Sequence, residues 1–143
     1  SDLSSSGVIF TIDPESGFPD VVFTTASYGL GENIVQGAVV ADEFYVHKPT
    51  FKKGHRTVLR RNLGDKLIKM VYSEKAKKGA TKNIDTEPSE RERFCISDEE
   101  VLQLADYAIK IEEHYSTRAG HAVPMDLEWA KDGVDGLDTL LIG

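Results

Sequence analysis

A chain of 143 residues with 24 acidic and 17 basic side chains, for a formal net charge of −7, has room for one domain with a real core and not for two. That balance excludes a nucleic-acid surface driven by phosphate contacts, and it leaves any anionic substrate dependent on metal ions or a few placed cations. The single cysteine, Cys95, excludes an internal disulfide and a multi-cysteine zinc site, which fits a reducing interior; no run approaches a membrane span and the first residues do not resemble a signal peptide, so a soluble, cytoplasmic protein is expected.

In chain order, GVIFTID (Gly7 to Asp13) and DVVFTTA (Asp20 to Ala26) are β-branched and aromatic runs separated by a turn punctuated by Pro14, Gly17 and Pro19, which predicts a hairpin. Gly29 and Gly31 then bend the chain before a short helix that Gly37 ends. DEFYVHK (Asp42 to Lys48), RTVLRRN (Arg56 to Asn62) and KLIKMVYS (Lys66 to Ser73) read as three strands joined by turns at Pro49 to Gly54 and Asn62 to Asp65. The polar segment after Ser73 reads as a solvated excursion with a short strand near Thr81 to Ile84.

One long helix follows. Ser97 is its N-cap, and Glu100 three residues on completes a capping box, with Asp98 and Glu99 at the favourable end of the dipole. Val101, Leu104, Ala105, Ala108, Ile111 and Tyr115 keep helical spacing and are expected to face the sheet. VPMDLEW (Val123 to Trp129) is a strand, and KDGVDG turns it into a last strand, LDTLLI. The sum is an α+β unit, a mixed and mostly antiparallel sheet with one long helix packed on it. A strand-like start by Val8, no initiator Met and an apolar end at TLLIG suggest a piece excised from something longer.

Within VPMDLEW, Asp126 and Glu128 share one face of the strand, because side chains alternate. Like charges so placed face water, share a proton or hold a cation between them. Magnesium suits such a pair, since it takes one or two carboxylates and leaves positions for water and phosphate oxygens; a solvated acidic strand face is the blander reading, and spacing alone favours it. YGLGE (Tyr28 to Glu32) is neither a P-loop nor a dinucleotide fingerprint. It either delivers Glu32 to the edge of a site or places it in the first turn of a helix.

His47, His55, His114 and His121 show neither metal spacing nor a nucleophile partner, and His121 reads as an exposed loop residue rather than a phospho-acceptor. Cys95 reads as a small buried apolar residue. Arg60 and Arg61, with Lys66 and Lys69, are expected to form a basic patch on neighbouring strands; alternation lets at most one of the two arginines join Asp126.

Beyond what spacing supplies, SDLSSSGVIFTIDPESGF, TASYGLGENIVQGAVVADEFYVHKPT, RRNLGDKLIKMVY and MDLEWAKDG together resemble the phosphoenolpyruvate synthase (pyruvate, water dikinase) family over essentially the whole chain. The resemblance implies the later half of an ATP-grasp nucleotide-binding domain, a partial domain over residues 1–143, in an enzyme several times longer. It implies the conversion of ATP, pyruvate and water to AMP, phosphoenolpyruvate and phosphate through a phosphohistidine on a separate swivelling domain. ATP and Mg2+ are the implied ligands, with Asp126 and Glu128 on the metal and Glu32 on the nucleotide or its metal.

Some of the family's features are missing. The family continues after AKDG into Gln-Ala-Arg-Pro-Glu-Thr, whereas this chain reads LDTLLIG. The phosphate-binding lysine and arginine of the first half-domain, the phospho-acceptor histidine and the pyruvate-binding barrel have no counterpart here, so no catalytic residue is assigned and the chain alone is expected to turn over no ATP. An apolar patch facing the missing half favours self-association as a homodimer. Nucleic acid and membrane are not expected partners. A related dikinase, an antibiotic phosphotransferase of the same type and a non-catalytic nucleotide-binding module are the alternatives.

Overall fold

Strand β2 (Val21–Tyr28) alternates Val22, Thr24 and Ala26 on one face with Phe23, Thr25 and Ser27 on the other, and nearly all of its residues are buried, as in a strand covered on both sides. In the computed structural model, which describes residues 5–29, 34, 37, 39–72 and 81–131, this strand is the centre of a five-stranded sheet. On one side lie β1 (Ser5–Phe10) and then β7 (Asp126–Lys131); on the other lie β3 (Asp42–His47) and then β4 (Val58–Asn62). Every neighbouring pair is antiparallel, and the expected hairpin is β1 with β2.

β5 (Ile68–Tyr72) and β6 (Thr81–Asp85) form a separate antiparallel ribbon rather than extending the sheet. A parallel bridge from Gly29 to Met70 joins the ribbon to the end of β2. Gly29 has φ +78°, and a Cβ there would lie 2.4 Å from the Met70 carbonyl oxygen, so the first glycine of YGLGE is needed for this junction. The segment expected as a turn at Pro49 to Gly54 begins with a short helix, α1 (Lys48–Lys52), because Pro49 in the first turn presets φ and has no N–H to waste. Another short helix, α2 (Pro88–Arg91), follows β6. The expected helix between Gly29 and Gly37 lies largely outside the described residues, as does the predicted last hairpin strand.

The long helix α3 (Asp98–Ala119) has the expected Ser97 and Glu100 capping box and ends at Gly120, whose φ of 78° suits a left-handed cap. Val101, Leu104, Ala105, Ala108 and Ile109 pack with Ile9, Val22, Ala26, Phe44, Val46, Leu127 and Trp129 of the sheet. One of the expected helix contacts needs correction, since Tyr115 is 49% exposed; Ile109, which is not among those expected, joins the core, and Ile111 packs against it. A 22-residue helix is about 33 Å long and a six-residue strand about 20 Å, so the last turns overhang the sheet. Before the overhang Glu112 continues the stripe and meets the buried Lys48 Nζ at 2.8 Å, which also donates to the carbonyls of Thr11 and Pro19. No helix among the described residues is long and apolar enough to cross a membrane.

The expected basic patch does not form. Lys66 and Lys69 are buried, paired with Asp42 at 2.6 Å and Glu90 at 3.0 Å. Arg61 pairs with Asp98 at 2.5 Å, and Arg60 lies over the Tyr45 ring at 5.9 Å. Both arginines are on β4, at the opposite edge of the described sheet from Asp126, so neither reaches it.

Glu90 and Glu100 titrate below the ordinary 4.5. Burial opposes ionisation at both, but it is outweighed at Glu90 by the Glu87 backbone N–H and Lys69, and at Glu100 by Lys131 and the Ser97 backbone N–H. A carboxyl whose folded pKa is depressed adds stability that is present above its unfolded pKa and is lost as pH falls through the folded one. The melting temperature followed by circular dichroism is therefore expected to fall as pH drops through and below the ordinary 4.5 of these carboxyls. The fall should be shallower in Glu100→Gln; an equal slope would show that other carboxylates govern acid unfolding.

Candidate functional site

Strand β7 reads Asp-Leu-Glu-Trp-Ala-Lys, with Leu127 and Trp129 buried against the helix side and Asp126 and Glu128 exposed on the opposite face. The sequence expectation that the two acids share a face holds because apolar residues alternate with them, and burying Leu127 and Trp129 leaves the carboxylates no other side. Two residues of strand rise separate their Cα atoms by about 7 Å. No ion pair reaches either carboxylate among the described residues.

Register then determines what stands beside them. Asp126 is opposite Phe10 and Glu128 is opposite Val8; across β1, Phe10 pairs with Phe23 of β2, and the Val8 N–H meets the Thr25 hydroxyl of β2. Val8, Phe10 and Thr25 thus form the floor of a cleft of about 410 Å³, with the two acids along one side and Ile34 also lining it. The row continues across the sheet from Phe10 to Phe23, whose ring centroids are 6.2 Å apart, to Tyr45 at 4.9 Å from Phe23, and ends at Arg60. An apolar, partly aromatic floor with an acidic edge suits a ligand that has one flat apolar part and one polyanionic part bridged by a cation.

The donor set fits magnesium rather than a cation caged by protein alone. Among the described residues no group of three or more His, Cys, Asp or Glu side chains converges, so the pair offers carboxylate oxygens and leaves other positions open for phosphate and water. Glu32 lies outside the described residues.

The remaining candidates stand apart from the cleft. His47 Nδ1 is 3.1 Å from Thr50 Oγ1, His114 stacks edge-on against Tyr115, and His121 Nδ1 is 3.1 Å from the Ala122 carbonyl. Burial, and then the nearby Asp42 carboxylate, push the Cys95 thiol far above its ordinary range, so it is inert rather than nucleophilic. Thr25, Val8 and Phe10 were missed as cleft residues. Alternation marked which of them share a face, but their place beside Asp126 follows from a pairing between the first and last described strands.

Residues 1–141 match the family described as the pyruvate phosphate dikinase AMP/ATP-binding domain. The chain is 56% identical over 137 residues to a phosphoenolpyruvate synthase of Pseudomonas aeruginosa, covering 95% of this chain and 17% of that protein. It is 55% identical over 136 residues to the phosphoenolpyruvate synthase of Synechocystis, with 95% of this chain and 16% of the relative covered. Against that of Escherichia coli the identity is 51% over 137 residues, again 95% of this chain and 16% of the relative. The chain therefore spans about a sixth of the length of these curated relatives.

Proposed function

Because this chain belongs to the pyruvate phosphate dikinase AMP/ATP-binding domain family, we propose that it binds ATP as its magnesium complex in the cleft beside β7. Asp126 and Glu128 are the protein's ligands to the metal, and Glu32 contacts the nucleotide or the metal. The observation that carries this reading is the pair of exposed carboxylates, without an ion-pair partner among the described residues, at the edge of an apolar floor. In the same reading residues 1–143 are the later half of an ATP-grasp domain.

Magnesium, when bound, neutralises phosphate charge and orients the phosphoryl groups. The chain's own contribution is placement. Asp126 and Glu128 hold the cation from a strand whose other face is locked in the core, and Val8 and Phe10 keep water from the floor on which the apolar part of the nucleotide rests. Fixed charge of this kind is the main aid a protein offers to a phosphoryl group in transfer.

The names of the relatives support phosphoenolpyruvate synthase as the parent activity; in this reading the parent protein converts ATP, pyruvate and water to AMP, phosphoenolpyruvate and phosphate through a phosphohistidine. In the same reading the histidine and the pyruvate site lie on other domains of the parent protein. Calorimetric titration with a non-hydrolysable ATP analogue tests the binding claim, with affinity expected to fall at least about tenfold when magnesium is chelated. Affinity that is unchanged by chelation contradicts it. With ATP and pyruvate the chain alone is expected to release no AMP; steady AMP release would place the whole reaction within it.

A further inference from the structure

The ladder between β1 and β2 is broken where the cleft crosses it. Cα partners run Ser5 with Tyr28 and Ser6 with Ser27, and resume at Ile9 with Thr24 and Phe10 with Phe23. In the gap the Val8 N–H donates to the Thr25 hydroxyl at 3.0 Å rather than to a main-chain carbonyl, and that hydroxyl lies 3.3 Å from the Val8 carbonyl as donor. The Thr25 carbonyl, released from the ladder, accepts a hydrogen bond at 3.0 Å from the indole Nε1–H of Trp129.

Trp129 is on β7, and its partner on β1 is Gly7, so the indole passes over β1 to reach β2. Two strand spacings make this span about 10 Å. Only glycine allows the crossing, since a Cβ on residue 7 would lie 1.8 Å from the Thr25 carbonyl oxygen and 2.6 Å from the indole nitrogen. A second tie sits at the end of the strand, where Lys131 pairs with Glu100 of α3 at 2.6 Å.

We propose that Trp129 is a positioning residue for the metal–nucleotide site: its indole N–H, reaching across Gly7 to the Thr25 carbonyl, sets where Glu128 stands relative to the cleft floor. This inference rests on the nucleotide reading given above. Burial of the 2%-exposed ring accounts for most of what Trp129 adds to stability, whereas the N–H bond alone is worth about 1 kcal/mol. The bond has a separate consequence for geometry. It fixes β7 to a strand that is not its neighbour, so Glu128 and the cleft-lining Thr25 are held by one connection. Without it the Thr25 carbonyl is free to turn back to the Val8 N–H, and the acid-bearing strand loses its reference to the floor.

The test compares the unmodified chain with Trp129→Phe, and with a chain whose sole tryptophan is replaced by β-(3-benzothienyl)alanine, which keeps the fused ring and deletes only the N–H. Calorimetry with magnesium and a non-hydrolysable ATP analogue is expected to show about tenfold weaker binding in both, with the fraction folded checked by circular dichroism. Deuterium exchange of the indole N–H in the unmodified chain is expected to slow when the ligand binds. If the benzothienyl chain is folded and binds as tightly as the unmodified one, the positioning role is overturned while the nucleotide reading stands. If the unmodified chain binds no nucleotide, or if Glu128→Gln leaves binding intact, the nucleotide reading falls and the positioning role with it. Affinity lost only in proportion to the unfolded fraction makes Trp129 structural and likewise overturns the proposal.

Discussion

Lys66→Met is expected to destabilise the chain by about 3–5 kcal/mol, a large part of the stability of a domain this size. Lys66 and Asp42 are both fully buried, with Nζ and Oδ1 2.6 Å apart. The carboxylate is surrounded by donors: the Gly64 N–H at 2.8 Å reaches Oδ1 and the Cys95 N–H at 2.8 Å reaches Oδ2. Lys66 Nζ in turn donates to the Gly64 carbonyl at 3.0 Å. Three distant segments thus meet at one carboxylate, and removing the ammonium leaves that charge buried without its counter-ion. Lys66 itself sits at φ +46°, held there by its N–H to the Val40 carbonyl at 3.0 Å and by the Thr86 hydroxyl on its own carbonyl. Chemical denaturation checks the magnitude. The double variant Asp42→Asn with Lys66→Met should lose less than the sum of the single changes, because each single change strands the other charge. A loss below about 1 kcal/mol for Lys66→Met would mean that water reaches the pair.

The second large effect falls on binding and not on stability. Asp126→Asn with Glu128→Gln is expected to weaken magnesium–nucleotide binding by on the order of 100-fold or more, since both protein charges on the cation are removed. Both side chains are exposed, so the melting temperature should hold or rise slightly as their mutual repulsion is relieved. Opposite movement of affinity and stability separates a binding pair from an ordinary solvated strand face. For a solvated face the melting temperature would behave alike, but affinity would not change.

Local physics made much of this legible from the residue order. Ser97 and Glu100 announced the start of α3 because a capping box spans three residues. The shared face of Asp126 and Glu128 followed from alternation, which needs no partner strand. What could not be read depended on remote partners. Lys66 and Lys69 looked like surface cations because the acids that bury them, Asp42 and Glu90, are far away in sequence. β5 had the pattern of a third sheet strand, and only its pairing with β6 removes it from the sheet. Tyr115 kept the helical period, but no period records where the sheet beneath ends. Gly7 looked like an ordinary strand opening, and its necessity appears only when Trp129 crosses above it. The nucleotide itself was legible through family resemblance, since two carboxylates on a strand are compatible with several chemistries.

Metal and nucleotide binding beside β7 is tested by substituting manganese for magnesium, binding it with a non-hydrolysable ATP analogue, and mapping the paramagnetic broadening of backbone amide resonances. Broadening is expected centred on Asp126 to Glu128 and on Val8 to Phe10 beside them, with the amides of β4 at the far edge left sharp. Asp126→Asn with Glu128→Gln should abolish that pattern. Broadening centred elsewhere, or unchanged in the double variant, would contradict the assignment of the metal and its nucleotide to this pair.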